Sequence, residues 1–155
     1  MKALLHPTIL AFLLASGTAL GAGDSSPPAV RDPVLERVSA ATARNDWPAA
    51  QALLGEAVAK EPGNPDYHNM YAYVIRRGAN PDMNLVFKHY NEALRIDPKH
   101  RGAHEYIGEA YLMVNNLPKA KEHLGSLDKL CFFPCSEFTD LKKAIADYEQ
   151  KQAAR

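Results

Sequence analysis

The strongest constraint on this 155-residue chain is a pattern that recurs three times in phase. It reads Trp47-Pro48-Ala49-Ala50, Leu54, Ala57-Val58, Pro62, and then Met83, Val86, Tyr90, Ala93-Leu94, Pro98. The third pass is Leu117-Pro118-Lys119-Ala120, Leu124, Leu127. Bulky and small apolar residues at spacings of three or four mark one face of a helix. Pro62 and Pro98 stop the first two of these helices, because proline lacks a backbone donor and disfavours helix in the residue before it. A helix-length unit returning every thirty-odd residues buries its apolar face by stacking on its neighbours. The pattern therefore predicts an all-α solenoid and argues for a binding surface before a catalytic one.

Seven helices and no sheet follow from the residues between these units. Asp32-Pro33 opens the first hairpin as an N-cap and first-turn proline. Its stripe is Val34, Leu35, Val38 and Ala41, and Arg44-Asn45-Asp46 makes the turn into Trp47–Lys60. The second hairpin opens at Asn64-Pro65-Asp66. Tyr67, Met70, Tyr71, Val74 and Ile75 line its first helix, which ends at Gly78. A turn about two residues longer than the others leads into Met83–Ile96. The third hairpin is predicted as Ala103–Val114, with Ile107, Gly108, Ala110 and Tyr111 packing, followed by Leu117–Leu130. A last amphipathic helix over 136–152 has Phe138, Leu141, Ile145 and Tyr148 on one face. Lys142, Lys143, Asp147 and Glu149 lie on the other. It would cover the apolar edge of the last hairpin, as solenoids require for solubility.

The N-terminus reads differently. Met1-Lys2 precedes an almost wholly apolar run to Ala15, and small residues follow to Gly23. That is a secretory signal over 1–23, with cleavage after Gly21 or Gly23. The run is shorter than the roughly 20 residues a spanning helix needs, so stable membrane insertion after cleavage is not expected. Residues 24–31 form a polar, proline-containing leader. The chain carries 18 Lys and Arg against 18 Asp and Glu, so no net field draws it to nucleic acid. The expected location is the periplasm or the secreted fraction.

The order of small, aromatic, small, bulky and small positions closing on proline resembles the tetratricopeptide repeat. The match is best in the third unit at Ile107-Gly108, Tyr111, Leu117 and Ala120. The second keeps Tyr71-Ala72, Tyr90, Ala93-Leu94 and Pro98, but has Val86 at a small position. The first keeps Trp47, Ala50, Leu54, Ala57 and Pro62. The whole chain also resembles small exported bacterial repeat proteins that end in a two-cysteine turn and a short helix. The resemblance implies a right-handed α-solenoid of three hairpins, at about 32–62, 65–98 and 101–131, plus the capping helix.

It also implies a concave groove lined by the first helix of each hairpin, which takes a peptide or helix of a protein partner. Its positions would be Asp66, Asn69, Met70, Tyr73, Arg76 and Arg77 in the second repeat. In the third they would be Glu105, Tyr106, Glu109, Leu112 and Met113. Two arginines could fork onto a carboxylate, and tyrosine and methionine could anchor apolar groups. The alternative is that Arg76 and Arg77 only solvate a helix end and favour its dipole. The lysine-rich clamp that some family members use for a C-terminal carboxylate is not reproduced.

Cys131 and Cys135 are the only cysteines. After an export signal the default is a disulfide, and Pro134 keeps the intervening residues out of a helix. So small a loop stabilises little by entropy, and its use would be to set the angle of the last helix. Thiol exchange, or copper(I) binding with His123, is the other reading of this pair.

His68 and His104 occupy equivalent positions and should be partly buried, whereas His89 and His123, also equivalent, should lie on the surface. His100 falls in a turn and does not share a helix face with His104. No phosphate loop, nucleophile elbow or paired-histidine zinc motif is present. The reading is a non-catalytic adaptor with no cofactor and no metal.

Overall fold

A computed structural model describes residues 32–133 and 135–154. The expected signal and leader, residues 1–31, lie outside them. Seven helices run in order among the described residues: α1 Pro33–Ala43, α2 Trp47–Lys60, α3 Pro65–Arg77, α4 Met83–Ile96, α5 Arg101–Met113, α6 Leu117–Leu130 and α7 Ser136–Ala153. No strand occurs among the described residues.

The helix starts are set by short polar side chains. Asp32, Asp46, Asn64, Asp82, His100 and Asn116 each accept a backbone N–H of the first turn, which satisfies donors that the helix leaves free. The third hairpin begins earlier than the expected Ala103 because His100 acts as the cap. Its Nδ1 accepts the N–H of Ala103 at 3.1 Å. Two hairpin turns share one device: Asn45 and Asn115 both sit at φ 58°, a left-handed conformation that asparagine tolerates well. The α3–α4 turn spans 78–82 and lacks this residue, consistent with its greater length.

Each hairpin packs on the next, α2 against α3 and α4 against α5, while α7 lies against α5 and α6. Three buried clusters run along the stack. Val38, Ala41, Ala50, Leu54 and Val74 form the first. Ala72, Ile75, Val86, Tyr90, Ile107 and Ala110 form the second. Leu112, Ala120, Leu127, Leu141 and Ile145 form the third, under α7. The small residues of the repeated pattern, Ala50, Ala93 and Ala120, are fully buried, where their size lets helices approach. The closest approach is at Gly108: a Cβ there would lie 2.6 Å from Leu141 Cδ2. That glycine admits α7.

Candidate functional site

Tyr73 of α3 and Tyr106 of α5, with Trp47 at the start of α2, form an aromatic row. Trp47 and Tyr73 have ring centroids 6.4 Å apart, and Tyr73 and Tyr106 are 5.0 Å apart. Arg76 lies over both tyrosine rings, at 5.7 and 5.8 Å, and Arg77 lies over Trp47 at 5.6 Å. Such contacts hold a guanidinium while keeping it charged. Beside the row opens a groove of about 400 Å³. Of the residues expected from the sequence, Tyr73, Arg76, Arg77, Glu105, Tyr106 and Glu109 line it together.

Arg76 is not a free fork for a partner carboxylate. Only 8% exposed, it donates from Nη2 to Glu109 Oε2 at 2.6 Å and from Nε to the Tyr90 hydroxyl at 3.3 Å. Burial works against its charge, but Tyr90 and Glu109 outweigh burial and raise its pKa. Nor does it simply solvate a helix end, because α3 and α5 are joined through it. Arg77 is exposed and remains available.

Other expected positions fall elsewhere. Asp66 leaves the groove to meet His100 Nε2 at 3.0 Å, which ties the start of α3 to the cap of α5. Asn69 is buried, and its Oδ1 has no hydrogen-bond partner among the described residues. Leu112 is in the third core and Met70 packs against the first. Met113 is half exposed and meets Arg76 only through its sulfur, at 3.9 Å.

One wall of the groove was not expected. Asp140, Lys143, Ala144 and Asp147 of α7 line it. The last helix was expected only as a cover, with Lys143 and Asp147 on the face opposite its apolar stripe. Lys143 there pairs with Asp147 at 2.7 Å. The groove is thus built from α3, α5 and the capping helix.

On the histidines, the surface expectation is overturned for His89, which is buried, and only in part for His123, which is half-buried. His68 Nδ1 lies 2.9 Å from His89 Nδ1, and His104 Nδ1 lies 2.9 Å from His123 Nδ1. His68 Nε2 meets the Pro62 carbonyl and His104 Nε2 the Pro98 carbonyl, both at 3.0 Å. A carbonyl only accepts, so the Nε2 of His68 and of His104 carries the proton. Their Nδ1 atoms then accept from His89 and His123. Burial, followed by the neighbouring His68 and His104, lowers the pKa of His89 and His123 to about 4. Each trio fastens the proline that ends one hairpin to the hairpin that follows. The signal in the sequence was the identical spacing of His68 from Pro62 and of His104 from Pro98.

Cys131 and Cys135 form a disulfide with Cα atoms 5.8 Å apart. Both thiols are occupied in this state. Cys135 precedes α7 without a side-chain cap bond, so the bridge ties the end of α6 directly to the start of the capping helix. Phe132 and Phe133 in this loop are 94% and 76% exposed. No three His, Cys, Asp or Glu side chains among the described residues converge as a metal would require. None of the described helices is long and apolar enough to cross a membrane.

The hairpin stack with its concave face defines a tetratricopeptide-like helical repeat fold. No known family profile matches the sequence, and no curated protein does. Among solved structures the chain is similar to the type III secretion translocator chaperone SycD of Yersinia enterocolitica, with a TM-score of 0.66 at 11% identity. That likeness covers 77% of this chain and 83% of SycD, and at such low identity it speaks to the fold.

Proposed function

We propose that this protein is an exported, non-catalytic adaptor that holds a peptide or helix of a protein partner in the groove between α3, α5 and α7. The observation that carries this reading is the aromatic row Trp47–Tyr73–Tyr106 beside an open groove. Rigid rings supply contact area at low entropic cost, and such residues anchor many interfaces. Helical repeat proteins use concave faces of this kind for extended partners. The likeness to a translocator chaperone fits the same class of use. Export is supported by the apolar N-terminal run and by the Cys131–Cys135 bridge, which suits an oxidising compartment.

The test is site-specific photocrosslinking in envelope extracts of the source cell. A crosslinker at Lys143 in the groove should trap one discrete partner, while the same group at Lys60 on α2 should not. Arg77→Glu should weaken trapping at Lys143. Equal trapping from both positions, or none from Lys143, would overturn the groove as the binding site.

A further inference from the structure

We propose that the groove receives a positively charged side chain, lysine or arginine, of the partner segment, and that Glu105 is its counter-charge. This rests on the groove reading and names the chemistry of what enters. Once the groove's internal ion pairs are set aside, one nearly buried carboxylate is left over.

Four of the charges that line the groove are already matched in two pairs. Arg76 and Glu109 are bonded to each other, and Lys143 is paired with Asp147. Glu137, at the start of α7, faces Arg101 at 3.6 Å. Arg77 stands at the other edge, over Trp47. Glu105 remains. It is 8% exposed, lines the groove, and makes no hydrogen bond or ion pair with any described residue. Asp140 of α7, also on the lining, adds a second carboxylate without an ion pair among the described residues.

A buried carboxylate without a partner is costly, and a nearly buried group usually finds one. The open side of Glu105 faces the groove, the side a ligand would fill. Its surroundings push its pKa up to about 7, first through burial and then through Glu109, Asp140 and Glu137, with Arg76 opposing. An anionic ligand would meet the unpaired carboxylates of Glu105 and Asp140, and an apolar one would complete the burial of Glu105 with nothing to bond it. A lysine or arginine does neither, and its aliphatic stem can lie along Tyr106.

Helix packing does not require the charge. Glu105 of α5 corresponds to Asn69 of α3, where a neutral amide fills the same register and its Nδ2 would meet a Cβ placed on Gly102 at 3.3 Å. Glu105→Gln should therefore fold, and it isolates the charge.

The experiment measures anisotropy of fluorescein-labelled short peptides from a positional-scanning library, with the full chain. At one peptide position, lysine or arginine should be preferred over alanine by about tenfold, the scale of one modest charge-assisted bond. Glu105→Gln should erase that preference, so that lysine, arginine and alanine peptides bind the variant with the same affinity. The preference should also weaken as pH falls from about 8 to about 6, because a protonated Glu105 no longer attracts a cation. The titratable and charged groups facing it are Tyr73, Arg76 and Arg77 on α3, Tyr106 and Glu109 on α5, and Glu137, Asp140, Lys143 and Asp147 on α7.

Peptides that bind and are lost on Tyr106→Ala, yet show no basic preference, overturn this inference and leave the groove reading standing. A basic preference that survives Glu105→Gln overturns it as well. A preference abolished by a chelator would mean that a divalent cation occupies the carboxylates, and the assignment fails. If no peptide binds, the groove reading falls with it.

Discussion

The second and third hairpins share a register and solve the same packing problem with opposite chemistry. In the second, Arg76 and Tyr90 are bonded to each other at the seam to the next hairpin, and Glu109 reaches across to close it. In the third, Leu112 and Leu124 hold the corresponding positions, and the centre of the seam to α7 is apolar, with the ion pairs Lys121–Glu149 and Arg101–Glu137 at its margin. Ala72 is the small residue of the second hairpin, and Gly108 of the third. A following hairpin offers another polar first helix to bond with, so a charged lock can be satisfied. A single capping helix must seal the stack, so it comes closer and meets leucine. A polar seam orients; an apolar seam seals.

Breaking the polar lock should show the largest effect. Glu109→Ala leaves Arg76 charged and nearly buried, at a cost of about 3 kcal/mol in chemical denaturation. Adding Arg76→Leu, which copies the third hairpin's residue, should recover most of that loss, because no unpaired charge remains. If the double variant is as unstable as the single one, the lock is not what joins these hairpins.

Closing the space at the other seam comes next. Gly108→Ala drives a methyl into Leu141, which is fully buried and has little room to move. The expected loss is about 2 kcal/mol, within the range for overpacking. An unchanged midpoint would mean that α7 is free to withdraw. The same substitution tests the groove, since α7 supplies one of its walls.

The smallest effect concerns what the hairpins share. His89 and His123 titrate near 4 in the fold against 6.5 ordinarily, so the unfolded chain binds more protons between those values. Stability is then complete above about pH 6.5 and declines as pH falls towards 4. The loss should be on the order of 1 kcal/mol per trio, reduced by partial exposure of His123. The His89→Gln and His123→Gln double variant should flatten the profile between those limits. An unaltered acid slope would remove the histidines from the account.

Much of this was legible beforehand. The order and number of helices followed from Pro62, Pro98 and the alanines between, since helix period and helix termination are local properties. The longer α3–α4 turn was visible as extra residues. The groove was half legible: Tyr73, Arg76, Arg77, Glu105, Tyr106 and Glu109 do meet there, but Asp66, Asn69 and Met113 serve other contacts. Arg76 was read as free because its partners, Tyr90 and Glu109, are far from it in the chain. His89 and His123 were read as exposed because polarity was taken to mean surface, whereas each has a bonding partner on the helix across the turn.

By itself, then, the sequence determined the repeat, most of the helix ends and the position of the cysteine pair. All of these depend on residues within a few turns of one another. Only the tertiary structure decided which charges are neutralised and which are left over. It alone placed α7 against Gly108, where the capping helix became a wall of the groove and Glu105 was left beside it without a partner among the described residues. The reason is physical: period and capping act along the chain, but burial and pairing depend on what arrives from across it.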